Sequence, residues 1–135
     1  MVGVTKPRRP KRPPIPGQVP RTARLGQVIQ EIVAEALERI DDERLEHVHI
    51  TNVDVDSDLN RAIVSYDSLS GEEGDAEVLE ALGSHRVRLQ SAVSRQLHAR
   101  KTPVLEFRPD EVLRGAERID QILRDLQRED GDRPA

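Results

Sequence analysis

Six cations lie between Ser84 and Arg108 in a chain that is otherwise acidic. They are Arg86, Arg88, Arg95, Arg100, Lys101 and Arg108, and Glu106 is the only acid among them. The preceding stretch, residues 41–83, contains thirteen acids and only two arginines. Guanidinium and ammonium groups bind phosphate oxygens, so cations that are kept apart from an acidic background predict contact with a polyanion.

The spacing of these cations predicts a single helical face. Arg88 and Arg95 are seven residues apart, and the small Ala92 lies between them. Arg100 and Lys101 follow at the predicted end of the same helix. The alternative is an ordinary solvated face, but acids would solvate a helix equally well and the chain uses acids elsewhere. We therefore predict contact with a polyanion through this face, mainly through phosphates.

Two further cations, Arg21 and Arg24, precede the first predicted helix. Positive charge at a helix N-terminus is unfavourable against the helix dipole, so another reason for these residues is expected. Phosphate contact is one candidate, and pairing with Glu31, Glu35 or the acidic loops is the alternative. Residues 1–24 carry seven cations and no acid, and residues 1–20 hold six of the nine prolines. This composition predicts a disordered basic tail over residues 1–20.

Other kinds of site are poorly supported by the sequence. The chain has no cysteine, which excludes disulfides and thiolate metal sites. Asp54, Asp56 and Asp58 are spaced like the start of a calcium loop, but Leu59 stands where that loop needs glycine. No nucleophile motif or phosphate-binding glycine loop is present. We expect no catalytic residue, metal, cofactor or small-molecule substrate, and no membrane span.

The apolar pattern divides the chain into elements that would position these residues. The predicted order is a helix over 22–40 capped by Thr22, two strands around a turn at 57–60, a helix over 75–82, a kink, a helix over 85–100, a strand over 104–108 and an amphipathic helix ending at 126. The first strand changes phase at Thr51-Asn52, which predicts a β-bulge. Residues 127–135 are predicted to be a charged, disordered end.

The kink is predicted from a conflict within the second helical segment. A continuous helix with Leu82 and Leu89 inside would also bury Arg86 and expose Val87. Burying an unpaired arginine is unfavourable for the free energy of folding. We therefore expect the helix to break, so that Arg86 can face solvent. Gly83 in a left-handed conformation and Ser84 as a helix cap would supply the break.

The order of elements predicts a two-layer α+β domain over residues 21–126, with a three-stranded sheet packed on helices. The order α-β-β-α-kink-α-β, with an added C-terminal helix, is that of a type II K-homology domain. The sequence also resembles the ribosome-binding factor A family. The resemblance rests on Arg21-Thr-Ala-Arg24, Ile40-Asp-Asp-Glu-Arg-Leu45, Val48-His-Ile-Thr-Asn-Val-Asp-Val55, Arg100-Lys101, Pro103-Val-Leu-Glu-Phe107 and Leu113-Arg-Gly-Ala-Glu-Arg-Ile-Asp120.

This resemblance implies a cytoplasmic, monomeric factor, not an enzyme, that binds the immature small (30S) ribosomal subunit and its ribosomal RNA. It implies a role in late maturation and in processing the 5′ end of that RNA. The alternative is a K-homology-like module that binds a basic protein through its acidic surface. One feature departs from the family pattern. His85-Arg86-Val87 occupies the kink where the family usually has Ala-x-Gly, which argues against close approach of the backbone to a phosphate.

Overall fold

The computed structural model describes residues 21–98 and 101–131, where it shows four α-helices, two 3-10 helices and one three-stranded sheet. The α-helices are α1 (Arg21–Glu38), α2 (Asp75–Ser84), α3 (Arg86–Gln96) and α4 (Glu111–Gly131), and the strands are β1 (Val48–Val55), β2 (Arg61–Ser68) and β3 (Val104–Pro109). This order confirms the predicted α+β arrangement with an added C-terminal helix. The predicted tail at 1–20 and the predicted site residue Arg100 lie outside the described residues.

The sheet has β2 at its centre, with β1 antiparallel on one side and β3 parallel on the other. A β-bulge interrupts the register between Ile50 and Asn52, as the phase change in the sequence predicts. A bulge turns the side chain of its extra residue away from the regular pleat. The hydroxyl of Thr51 donates a hydrogen bond to Asp110 Oδ2 at 2.5 Å, and Asp110 immediately precedes α4.

The core lies between the sheet and the first three helices. One face of each strand is buried, and Val64, Tyr66 and Leu105 are fully enclosed. Helix α1 buries Ile29 and Val33 against this face, and α2 and α3 add Val78, Ala81, Leu82, Leu89, Ala92 and Val93. The opposite side chains of the strands alternate toward solvent. The aliphatic core therefore forms one layer of helices on one face of the sheet.

The break between α2 and α3 exists, but it falls at His85 and not at Gly83-Ser84. His85 has φ −102° and ψ 7°, outside helical geometry. Gly83 is not left-handed, and the Ser84 hydroxyl donates to Glu80 O at 3.0 Å instead of capping α3. Arg86 is exposed as predicted. The expectation that the break would keep Val87 from solvent is wrong: Val87 is exposed, because α3 buries Leu89, Ala92 and Val93 and thereby turns Val87 outward.

Several helix limits differ from the sequence prediction; α1 ends at Glu38 and α2 extends to Ser84. Thr22 lies inside α1, which the structure describes from Arg21. Helix α3 ends at Gln96, because Leu97 leaves helical geometry (φ −86°, ψ 55°) while it packs against the core. Helix α4 continues past Leu126 to Gly131. The charged residues after Leu126 are mostly good helix formers, which is why the helix extends into the segment predicted to be disordered.

Candidate nucleic-acid interface

The basic face predicted from the sequence lies beside a shallow groove between α1 and α3. Arg88 and Arg95 are exposed on α3, and Ala92 between them is buried. Both arginines line the groove, which has a volume of about 120 Å³. Helix α1 forms the other wall, where Arg39 is paired with Glu35 at 2.8 Å. The structure therefore brings Arg88 and Arg95 onto one face, as their spacing predicts.

The described cations divide into those paired with acids and those that are not. Within residues 21–98 and 101–131, six arginines form ion pairs with carboxylates: Arg39, Arg44, Arg61, Arg108, Arg114 and Arg118. In the same part of the chain, Arg21, Arg24, Arg86, Arg88 and Arg95 form none, and on α4 Arg124 and Arg128 form none either. The predicted site residues are thus mostly the cations whose guanidinium groups are left available for a phosphate.

Arg21, Arg24 and Lys101 lie at the hairpin end of the domain. Both arginines are exposed in the first turn of α1. Gly26 then brings this helix against the backbone of Val53, near the end of β1. Lys101 reaches the same end, because its ammonium donates to the side chain of Asn60 in the turn between β1 and β2. The pairing of Arg21 or Arg24 with Glu31 or Glu35 is not found.

Arg86 faces a different neighbour from Arg88. The pKa of Glu106 on β3 is lowered mainly by its hydrogen bond with Arg108, and Arg61 and Arg86 contribute smaller charge effects. Arg86 therefore lies toward β3 and the sheet. It extends the positive surface away from the groove instead of adding to it. Arg86 and Arg88 are two residues apart within α3, so they point in directions about 200° apart around the helix axis.

The bend itself is held by side chains. His85 Nε2 lies 2.9 Å from Asp42 Oδ2, in the connection between α1 and β1. Asp42 also accepts hydrogen bonds from the Arg44 side chain at 3.0 and 2.8 Å and from its backbone N–H at 3.0 Å. The pKa of Asp42 is lowered, first by Arg44 and next by His85. The side chain of His85 is therefore engaged by Asp42, whereas Gly83, Ser84 and Arg86 around it are exposed.

Two residues that support the site were not identified from the sequence. Arg39 lines the groove. The sequence could have indicated this, because Arg39 follows the buried Ile32 by seven residues and so lies on the same side of the helix. Gln90 fixes α3 to β3, since its amide nitrogen donates to Pro103 O at 2.9 Å and its oxygen accepts from the Leu105 N–H at 3.0 Å. These bonds hold the basic helix in register with the sheet.

Metal ions, membranes and basic ligands would each require a different feature of the described residues. Residues 21–98 and 101–131 contain no group of three or more His, Asp or Glu side chains that could bind a metal ion. In the same ranges, no helix is both long enough and apolar enough to cross a membrane. A second groove, of about 650 Å³, lies between the end of α1 and β1 and is lined by Glu38, Asp41, Asp42, Glu43 and Glu46. It is the acidic counterpart of the basic face.

The fold and the bend between α2 and α3 define a type II K-homology-like domain, a class of nucleic-acid-binding folds. The sequence profile described as "Ribosome-binding factor A" matches residues 21–123. The chain belongs to the ribosome-binding factor A family. A Kocuria rhizophila ribosome-binding factor A is 39% identical over 111 residues, which cover 82% of this chain and 72% of the relative. One from Rubrobacter xylanophilus is 36% identical over 113 residues, 83% of this chain and 92% of the relative.

Solved structures agree with this assignment. The crystal structure of ribosome-binding factor A from Thermus thermophilus has a TM-score of 0.59 and 30% identity, covering 65% of this chain and 93% of that one. The solution structure of a candidate ribosome binding factor A from Thermotoga maritima has a TM-score of 0.62 and 27% identity, covering 68% and 91%. A third set of coordinates, with a TM-score of 0.54, 30% identity and coverage of 64% and 92%, is a homology model of the Thermus thermophilus factor that was fitted into a cryo-EM map of a 30S complex.

Proposed function

We propose that this chain is a cytoplasmic ribosome assembly factor that binds the immature small ribosomal subunit through its ribosomal RNA. It would act in late maturation and in processing of the 5′ end of that RNA, as a binding factor and not as an enzyme. The observation that carries the proposal is the division of the described cations. Arg88 and Arg95 remain without acid partners beside the α1–α3 groove, while six other arginines are paired.

Binding would rest on phosphate contacts. Single-strand binders usually stack bases on aromatic side chains. Tyr66 is fully buried here, and Phe107, the only other aromatic residue, packs against the core. Contacts between arginines and phosphates release counterions, so affinity should fall steeply as salt rises. We assign Arg88 and Arg95 as the central contacts, with Arg21, Arg24 and Lys101 at the hairpin end and Arg86 toward β3.

The test is sedimentation of the purified chain with purified small subunits. Arg88→Glu combined with Arg95→Glu should abolish co-sedimentation while the circular dichroism spectrum stays unchanged. The matched control is Arg124→Glu combined with Arg128→Glu, which makes the same charge change at two exposed arginines of α4 that also lack acid partners. Unchanged binding of the first variant, or equal loss in both, would contradict the assignment of the α3 face.

The maturation role needs a separate measurement in cells. Removal of this factor should lead to accumulation of small-subunit RNA with an unprocessed 5′ end, detected by primer extension. The Arg88→Glu, Arg95→Glu variant should fail to restore processing, whereas the α4 control variant should restore it. Normal 5′ ends in cells that lack the factor would contradict the maturation role but would leave subunit binding intact.

A second candidate function is supported by the acidic groove between α1 and β1. Its acids surround apolar side chains that include Leu37, Ile40 and Val48, a combination suited to a basic peptide. On this hypothesis the principal partner is a protein. Recovery of a protein partner from nuclease-treated extract, with no ribosomal RNA and with loss on Glu43→Gln and Glu46→Gln, would favour it.

A further inference from the structure

Helix α4 begins as part of the domain and then extends away from it. Its first turn is pinned by Arg114, which is 5% exposed and bonds to Asp75 at 2.5 and 2.9 Å and to Asp67 at 3.2 Å. Asp110 adds a cap, because its Oδ1 accepts from the Leu113 N–H at 3.0 Å. From Ala116 to Asp130 every residue is exposed. The far half of α4 is therefore anchored at its base but left uncovered.

This free half carries an apolar stripe. Ile119, Ile122, Leu123 and Leu126 are 60, 58, 52 and 52% exposed. They occupy positions i, i+3, i+4 and i+7, the pattern by which an amphipathic helix places its side chains into the apolar groove of a partner. Isolated exposed apolar residues need no explanation, but four contiguous ones on one helical face indicate an interaction surface.

The charges beside the stripe indicate the chemistry of the partner. At 100° per residue, Asp120 lies on one edge of the stripe and Glu129 on the other, where Arg118 also lies but is paired with Glu72. Asp130 lies in line with the stripe beyond Leu126. Arg124 and Arg128 are on the opposite side of the helix. An acidic border repels RNA phosphates and anionic lipid, and it attracts lysines and arginines.

A second copy of this chain fits the stripe less well. Antiparallel pairing centred on the stripe, between residues 122 and 123, would bring the Asp120 edge of each copy against the same edge of the other, where like charges repel. A stable symmetric dimer also needs about 800 Å² from each copy. A stripe of four aliphatic side chains belongs to the class of patches of a few hundred Å². Such an area suits a contact that supplements a second binding surface.

We propose that the far half of α4 is a docking helix for a protein of the small ribosomal subunit, one that offers an apolar groove bordered by lysine or arginine. This inference rests on the proposed function, because it places the partner on the same particle. Ile122, Leu123 and Leu126 fill the groove, and Asp120 and Glu129 meet its basic border. The pinned base of α4 lowers the entropy cost of this contact, because the helix needs no ordering on binding.

The test is photo-crosslinking of the full-length chain bound to purified small subunits. A benzoylphenylalanine is introduced in place of Leu123, and the matched control carries it in place of Gln121 on the opposite side of α4. The Leu123 probe should give a covalent product with a protein, which resists nuclease and is destroyed by protease. The Gln121 probe should give at least tenfold less of it. Products with RNA only, equal products from both probes, or no product from bound factor would overturn the proposal.

A second measurement separates this proposal from the proposed function. Ile119→Glu with Leu123→Glu should weaken subunit binding at least tenfold, while Gln121→Glu with Arg128→Glu should change it less than twofold. If the unsubstituted chain does not bind small subunits, both proposals fail. If it binds and the stripe variant binds equally well, only the docking proposal fails. A crosslinked dimer formed without subunits would assign the stripe to self-association and would also overturn it.

Discussion

Arg114 is the residue whose loss should reveal most about how the domain holds α4. It is 5% exposed and pairs with Asp75 and Asp67, whose side chains are 19 and 14% exposed. It also lies over the Tyr66 ring, 5.8 Å from its centroid. Arg114→Met keeps much of the aliphatic volume but leaves two carboxylates without a cation. Breaking a buried ion pair lowers the free energy of unfolding by about 3–5 kcal/mol. Because the two acids remain partly exposed, we expect Arg114→Met to lower it by an amount near the lower limit of that range.

The assay is urea unfolding followed by circular dichroism and by tyrosine emission. Tyr66 is the only tyrosine and the chain has no tryptophan, so the emission reports on this site. Its hydroxyl donates to Asp75 Oδ1 at 2.9 Å, and burial followed by this bond raises the pKa of Tyr66. Asp75→Asn added to Arg114→Met should restore more than 1 kcal/mol, because it removes one unpaired charge and retains an acceptor for the hydroxyl.

The matched control is Arg118→Met, one helical turn further along α4. Arg118 pairs with Glu72, but the two side chains are 59 and 63% exposed. An exposed pair of this kind contributes less than about 1 kcal/mol. If Arg114→Met costs no more than Arg118→Met, or if the second substitution restores nothing, the view that Arg114 is a buried ionic anchor is wrong.

Three further predictions concern the folded domain. Acidification below the ordinary carboxyl pKa of 3.8 should unfold the wild type progressively. Arg114 lowers the pKa of Asp75 in the folded state, so the stability from this pair is present above that pH and is lost as Asp75 becomes protonated below it. Asp75→Asn should therefore flatten the dependence of Tm on pH, which a pH titration of Tm measures. His85→Ala should lower Tm less than Arg114→Met does, and it should have no added effect in Asp42→Asn, since the two side chains share one contact. Gly26→Ala should destabilise by about 1–3 kcal/mol in urea unfolding, because its Cβ would overlap Val53 O.

Most of the fold could be predicted from the sequence because burial leaves a regular pattern. The period of Ile29, Ile32 and Val33 identified α1, and the alternation of Ala62, Val64 and Tyr66 identified the central strand. The bulge was also predictable, since one extra residue shifts the apolar phase of a strand. These patterns come from residues that are close together in the sequence, and the residues that they predict to be buried are buried in the structure.

The position of the helix break could not be predicted in the same way. Gly83 and Ser84 have the intrinsic preferences of a helix end, and these favoured a break there. The break falls at His85 because a contact with Asp42, 43 residues away in sequence, holds that side chain. The same limit applies to Lys101, whose partner Asn60 is distant in sequence. Local preference gives the existence of the bend, and tertiary contacts decide its location.

The two proposed surfaces should make different contributions to binding kinetics. Arg88 and Arg95 are exposed cations, so they should accelerate association, and their loss should lower the rate constant and its salt dependence. The apolar stripe of α4 has no long-range attraction, so its loss should raise the dissociation rate. Gln90 ties α3 to β3, and Arg114 anchors the base of α4 to the same domain. Because both surfaces belong to one folded unit, a weak second contact can act at high effective concentration. Surface-immobilised subunits would separate the rates, and a stripe variant that slows association without faster dissociation would refute this division.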